Sequence, residues 1–119
     1  MEIKTKLEPM GGFKKVASSS VAKFVTSFST SFYKTKDGDL YMCGYNAYGQ
    51  QGKGSAGNVT RFTQRASNVD YVINSGGTVT FYMDVNGNVY GCGDNAYGQQ
   101  GNDTTNNQLT FENKMQYFS

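Results

Sequence analysis

The sequence contains no histidine and no tryptophan, one proline and two cysteines among 119 residues. Without histidine, Ser-His-Asp and Cys-His nucleophile systems and His-ligated zinc are excluded. Without tryptophan, the commonest sugar-stacking side chain is missing. Cys43 and Cys92 stand 49 residues apart and form no zinc motif. Long apolar runs are also absent, so nothing reads as a membrane-spanning helix. The amino terminus, Met1-Glu2-Ile3-Lys4-Thr5-Lys6-Leu7-Glu8-Pro9, lacks the apolar core of a signal peptide, and a cytoplasmic location is expected. Charge is sparse, at 17% of residues with a net +2, so neither nucleic acid nor membrane is expected as a partner.

The remaining acidic and glycine-rich sites also fall short of chemistry. Asp37-x-Asp39 lacks the further carboxylates of a calcium loop, and its copy reads Asn86-x-Asn88, which favours a turn. Gly11-Gly12 and Gly52-x-Gly54 lack the lysine and following helix of a phosphate loop. No catalytic residue, metal or cofactor is expected, and the chain reads as a non-enzyme.

What the chain has in quantity is glycine (15), tyrosine (nine) and phenylalanine (eight), the mix of a protein of strands and turns. It also has a repeat. Leu40-Tyr41-Met42-Cys43-Gly44-Tyr45-Asn46-Ala47-Tyr48-Gly49-Gln50-Gln51-Gly52 returns 49 residues later as Val89-Tyr90-Gly91-Cys92-Gly93-Asp94-Asn95-Ala96-Tyr97-Gly98-Gln99-Gln100-Gly101. Residues 13–52 and 62–101 share 16 of 40 positions, so repetition decides the architecture before any single residue does. Cys43 and Cys92 are repeat equivalents, and equivalent sites on neighbouring units lie too far apart to bridge, so both are expected as free thiols.

Each copy follows one plan. Segments 21–26 and 30–35, rich in β-branched and aromatic residues, read as strands, followed by a turn at Asp37-Gly38 and a return strand at 39–43. The second copy gives strands at 70–74, 78–83 and 88–92, with turns at Gly76-Gly77 and Asn86-Gly87. Asp-Gly and Asn-Gly predict two-residue hairpins with both central residues at positive φ. Ile3, Thr5 and Leu7 alternate with lysines as a short strand, and 109–115 opens a further unit with Phe111 in register with Phe62 and Phe13. The organisation expected is an extension at 1–12, one repeat at 13–61, a second at 62–110, and the start of a third at 111–119.

The string Gly44-x-Asn46-x-x-Gly49-Gln50-x-Gly52, repeated as Gly93-x-Asn95-x-x-Gly98-Gln99-x-Gly101 behind an Asp/Asn-Gly hairpin, resembles the repeat of the regulator of chromosome condensation family. The similarity covers roughly residues 13–111. The resemblance implies an all-β fold of four-stranded antiparallel propeller blades. The family usually carries tryptophan where Cys43 and Cys92 stand, and a glycine pair followed by histidine before the second strand, of which only Gly76-Gly77 is kept. On physical grounds the glycines, Asn46, Asn95, Gln50 and Gln99 read as the joint that holds blades together, with glycine supplying positive φ and the amides satisfying turn backbone.

Two blades alone expose two apolar faces, which must be covered. Residues 1–59 balance at +4 and residues 60–119 at −2, so one half suits the other half of a neighbouring copy. A homo-oligomeric ring is expected, a trimer of six blades in preference to a tetramer of eight, with the terminal segments exchanged between copies. The alternative partner is another protein or a larger particle. The function expected is a protein-binding or structural assembly module, a design that fits a small phage or mobile-element protein and then a virion-associated one. The runner-up is an oligomeric lectin or small-ligand binder with sites between blades, where Tyr45, Tyr48 and Tyr97 stack on a glycan beside Asp94.

Overall fold

A computed structural model describes residues 21–27 and 29–118. Eight strands follow in chain order: β1 (Val21–Ser27), β2 (Thr30–Thr35), β3 (Leu40–Gly44), β4 (Val59–Ala66), β5 (Val69–Ser75), β6 (Val79–Asp84), β7 (Val89–Gly93) and β8 (Gln108–Asn113). They form two four-stranded antiparallel sheets, β1-β2-β3-β4 and β5-β6-β7-β8, each a meander in sequence order. The all-β expectation of two four-stranded blades holds. A 3-10 turn at Met115–Tyr117 follows β8. The strand expected at residues 3–7, and the start of the first repeat before Val21, lie outside the described residues.

Sequence units and blades are out of phase. β4, with Phe62, closes the first sheet by pairing with β3, and β8, with Phe111, closes the second by pairing with β7. Each blade thus takes its fourth strand from the start of the following sequence unit. The segment that opens a third unit in the sequence is the outer strand of the second blade.

The hairpins differ from the two-residue form expected. Thr35 and Asp39 pair across a three-residue loop, Lys36-Asp37-Gly38, in which Gly38 N–H donates to the Thr35 carbonyl at 3.1 Å. Val85-Asn86-Gly87 does the same, with Gly87 N–H on Asp84 at 3.0 Å. Only the glycines, at φ 92° and 86°, take positive φ. One such residue suffices for a type I turn with a glycine bulge, so Asp37 and Asn86 keep ordinary backbone.

The repeat offset also changes within a blade. From β2 onward equivalents lie 49 apart, but Phe24 pairs with Tyr33 whereas Val72 pairs with Tyr82, an offset of 48. The extra residue sits in the β5–β6 turn, where Gly76 and Gly77 both take positive φ and the Thr78 N–H closes on the Ser75 carbonyl at 3.2 Å.

Apolar side chains from both sheets meet in one layer. Phe32, Leu40 and Met42 of the first blade pack on Val69 and Val72 of the second, flanked by Val25, Ala66, Tyr82 and Phe111. Each blade also carries the same aromatic stack: Tyr33 on Tyr41 with Phe62 edge-on, and Tyr82 on Tyr90 with Phe111 edge-on, all at centroid separations of 4.8–5.0 Å. Burial, and then the neighbouring tyrosine, push the hydroxyls of Tyr33 and Tyr82 up to about 12.

Candidate site at the joint between blades

The repeat motif folds after β3 and after β7 into a pair of tight turns whose backbone is satisfied from inside. Asn46 is fully buried. Its Oδ1 accepts the Gln51 N–H at 2.8 Å, and its Nδ2 donates to the carbonyls of Ser55 (2.7 Å) and Gly57 (3.0 Å). Asn95 repeats this: Oδ1 accepts Gln100 N–H at 2.8 Å, and Nδ2 donates to the carbonyls of Thr104 (3.0 Å) and Asn106 (2.8 Å). One amide thereby ties two carbonyls of the following loop to its own turn.

The glutamine that follows acts between blades. Gln50 Oε1 accepts the Tyr48 N–H at 2.9 Å, and its Nε2 crosses to the Gly77 carbonyl of the second blade at 2.8 Å. From the other side, the Thr80 hydroxyl donates to the Gln50 carbonyl at 2.8 Å and the Cys92 thiol to the same oxygen at 3.5 Å. Burial raises the pKa of Cys92 strongly, which outweighs the opposing pull of Lys114 and Arg65, and keeps it a neutral donor. Cys43 and Cys92 are both free thiols.

Glycine permits the close approach at this joint. A Cβ built on Gly49 would lie 2.6 Å from the Leu109 side chain and 2.8 Å from its Cα, and one on Gly52 would lie 2.6 Å from the Phe111 ring. Both glycines hold positive φ. The loop then joins β8: Gly54 N–H donates to the Leu109 carbonyl at 2.9 Å, and Lys53 bridges to Thr110. The first blade is thus latched to the second from the turn after β5 to the outer strand.

The second copy of the motif repeats the bonds of the asparagine and of the first glutamine to their own turn, and among the described residues no further blade packs against it. Gln99 Oε1 accepts Tyr97 N–H at 2.9 Å, as Gln50 does from Tyr48, but Gln99 is exposed. Among the described residues a Cβ on Gly101 would meet nothing within 4 Å, and one on Gly98 only the Thr104 carbonyl at 3.9 Å. A groove of about 440 Å³ lined by Gly98, Asp103, Thr104 and Thr105 lies there.

The tyrosines and aspartate singled out from the sequence fall into two groups. Tyr45 and Tyr48 stand edge to face, centroids 6.1 Å apart, and line a cleft of about 410 Å³ with Ser29, Gly76 and Thr78. Asp94 and Tyr97 occupy the equivalent places on the second blade and do not join them. Asp94 Oδ1 accepts the Ala96 N–H, and Tyr97 is 92% exposed.

The sequence reading passed over the second glutamine of each motif. Gln51 and Gln100 are buried; Gln51 Nε2 donates to the Cys43 carbonyl at 2.9 Å, while Gln100 Nε2 reaches the Asp94 carbonyl at 3.5 Å. Their identity in both copies was the available signal. Lys114, buried, pairs with Glu112 at 2.6 Å. Burial raises the Glu112 pKa, but hydrogen bonds from Lys114, Asn102 and Tyr117 outweigh it and hold it low. Among the described residues no group of three or more His, Cys, Asp or Glu is placed to hold a metal, and no helix is long and apolar enough to cross a membrane.

Residues 21–50 match the sequence model of the Regulator of chromosome condensation (RCC1) repeat. No curated protein sequence matches the chain. Among solved structures, human WBSCR16 superposes with a TM-score of 0.68 at 23% identity, covering 78% of this chain and 25% of that one. Yeast RCC1 (Prp20) bound to Kap60 gives 0.67 at 13% identity, covering 81% and 23%. Prp20p from Saccharomyces cerevisiae, in a structure described with its binding to Gsp1p and histones, gives 0.64 at 19%, covering 82% and 27%. The chain therefore shares their fold and spans about a quarter of their length.

Proposed function

We propose that this chain, a pair of propeller blades of the kind found in those structures, is a non-catalytic protein-binding module that assembles through the open edge of its second blade. The observation that carries this reading is the contrast between the two motif copies: Gln50 is buried against Gly77, whereas Gln99 holds the same internal bond with its edge exposed. An apolar patch lies on the outer face of the same blade, lined by Tyr71, Ile73, Phe81, Met83 and Val89, with Tyr71 and Ile73 about half exposed. Exposed apolar surface beside exposed polar turn groups is the composition of a protein-binding face. That the yeast structures describe a protein with Kap60, Gsp1p and histones supports the class of partner and no more.

The test is a photo-reactive amino acid placed at Tyr97, with Val85 at the opposite end of the blade as control, in cells that make the protein. A protein adduct at 97 and none at 85 is expected; no protein adduct at 97 would overturn the reading. The cleft of Tyr45, Tyr48, Ser29, Gly76 and Thr78 favours a second reading, a small-ligand or glycan site between blades. A glycan array without a binder would remove its glycan form.

A further inference from the structure

We infer that the outer face of the second blade takes a segment of another protein in which apolar side chains are flanked at both ends by lysine or arginine. This rests on the protein-binding reading above and names the chemistry of the partner. The two copies share the residues that set strands and turns, and they differ in charge. Every carboxylate of the second blade stands where the first has a neutral residue. At the repeat of 49, Asp84 replaces Thr35, Asp94 Tyr45, Asp103 Gly54 and Glu112 Thr63; Asp70 replaces Ala22 in the matching irregularity of the first strand pair. In the opposite sense Lys23, Lys34 and Lys36 give way to Tyr71, Met83 and Val85. Residues 67–118 thus set Asp70, Asp84, Asp94, Asp103 and Glu112 against Lys114 alone, and Lys114 is tied to Glu112.

The exchange produces a face with an apolar middle and acidic ends. Tyr71, Ile73, Phe81, Met83 and Val89 line a shallow patch of about 180 Å³. Phe81 lies against the sheet, since a Cβ on Gly91 would stand 2.5 Å from its ring. The first blade has Met42 in place of Gly91 and buries it in the core between blades. The second face therefore lacks the side chain that the first sets into its neighbour, and is shaped for something else. Val69 pairs with Asp84 and Asp70 follows it, so two carboxylates stand at one end of β5 and β6. The Asp94 N–H closes on the Thr78 carbonyl at 3.0 Å, which puts Asp94, and Asp103 in the loop between β7 and β8, at the other end. Between them β6 spans about 17 Å at a rise of about 3.4 Å per residue. Beside this face the Lys23 ammonium of the first blade lies 5.4 Å from the centre of the Tyr71 ring, so one cation is already held over an aromatic side chain there.

Electrostatics exclude the other occupants. Nucleic acid and anionic lipid are repelled by aspartates that have no cation in their own blade. A second copy offers no complement: its second blade carries the same charges, and on its first blade Tyr33 and Val21, on the side away from the second blade, are buried. An apolar centre with a charged rim is the anatomy of a protein interface, and the sign of the rim selects the partner.

The experiment pans a display library of randomised peptides of about sixteen residues, long enough to cross the face extended or as a helix, on the purified chain. The enriched sequences are expected to hold an apolar centre between lysines or arginines. One enriched peptide is then titrated against the wild type, Asp70→Asn, Asp103→Asn, the double variant and Ile73→Lys, with circular dichroism as the check on folding. Asp70 and Asp103 are exposed, one at each end, and asparagine accepts the φ of 67° that Asp103 holds. Each neutralisation should weaken binding about threefold and the two together about tenfold. The same peptide with glutamine for its basic residues should bind the wild type and the aspartate variants alike. Ile73→Lys should abolish binding, and the aspartate variants keep the test alive if it fails to fold. The Met83 methyl resonance should shift on binding, and that of Met42, buried between the blades, should not. No enriched peptide, enrichment without an excess of basic residues, binding indifferent to the aspartates, or an unmoved Met83 overturns the inference. Any of these beside a foreign protein adduct at Tyr97 rejects the basic partner and leaves the protein-binding reading standing, whereas no peptide and no adduct rejects both. A peptide bound at Met83 without an adduct at Tyr97 keeps the face and rejects the edge as the place of assembly.

Discussion

In the first blade Gln50 is wholly buried, its amide on Gly77, with Thr80 and Cys92 closing on its carbonyl; in the second, Gln99 makes the same turn bond to Tyr97 and is exposed. The asparagines before them show no such contrast, since Asn46 and Asn95 are both fully buried. Two positions of one motif thus divide by what they serve. The asparagine satisfies its own loop and is buried by local folding alone. The glutamine and the glycines serve a neighbour, and their burial measures whether that neighbour is present. Turn and latch are separable parts of one string of residues.

The strongest way to break this division is through the glycines. Gly49→Ala sets a methyl group against the Leu109 side chain and backbone and also strains a backbone held at φ 85°. Overlap and strain together should cost about 4 kcal/mol. Gly98→Ala meets only the backbone strain at φ 77°, because nothing stands closer than 3.9 Å, and should cost about 1 kcal/mol. Urea unfolding of the two variants, at a concentration where the wild type is a single chain, checks the difference. Equal losses would mean that the joint adds nothing beyond the turn.

The glutamines sharpen the same contrast at smaller scale. Gln50→Ala leaves the buried Gly77 carbonyl without its amide donor and the Tyr48 N–H unpaired, a loss of about 2 kcal/mol. Gln99→Ala removes one bond to an exposed N–H that water can replace, and should cost less than about 0.5 kcal/mol in the single chain. Thermal unfolding of both variants side by side gives the comparison, and a Gln99→Ala loss as large as that of Gln50→Ala would show that the exposed copy is held by something in its own chain.

Much of this was legible in the sequence because the repeat is written at the places where backbone geometry is most demanding. The hairpins announced themselves through Asp37-Gly38 and Asn86-Gly87, and the strands around them through tyrosine, phenylalanine and β-branched residues. Their loop type was not legible, since the same dipeptides serve a two-residue turn and a three-residue bulged one, and pairing across the sheet decides between them. β4 was not singled out, because Val59-Thr60-Arg61-Phe62-Thr63-Gln64-Arg65-Ala66 is largely polar, and its place as a strand comes from lying beside β3. The division of labour between asparagine and glutamine was also hidden. Identical copies carry no record of which one has a neighbour, and a joint between blades exists only once the blades are placed.

The hairpins that close β2 on β3 and β6 on β7 extend the comparison to pH. In the second blade Asp84 Oδ1 accepts the N–H groups of Asn86 and Asn88, both at 2.9 Å, and Oδ2 accepts the Asn88 side-chain amide at 3.3 Å. Desolvation by the loop raises the pKa of Asp84, but these hydrogen bonds to the charged form outweigh it and leave the carboxyl below its ordinary value. In the first blade the same position is Thr35, whose hydroxyl accepts the Asp39 N–H at 3.0 Å and does not titrate. A carboxyl depressed in the folded state gives stability that is complete above its ordinary value, near 3.8, and is lost as pH falls through the folded value. Acidification below pH 4 should therefore loosen the Asp84–Asn88 turn before the Thr35–Asp39 turn. Amide hydrogen exchange, corrected for the intrinsic effect of pH, should show protection falling at Asn88 while it holds at Asp39. Asp84→Thr should transfer the behaviour of the first hairpin to the second, because it replaces the titrating acceptor with the one Thr35 already supplies; if Asn88 still loses protection in that variant, the acid response lies elsewhere in the blade.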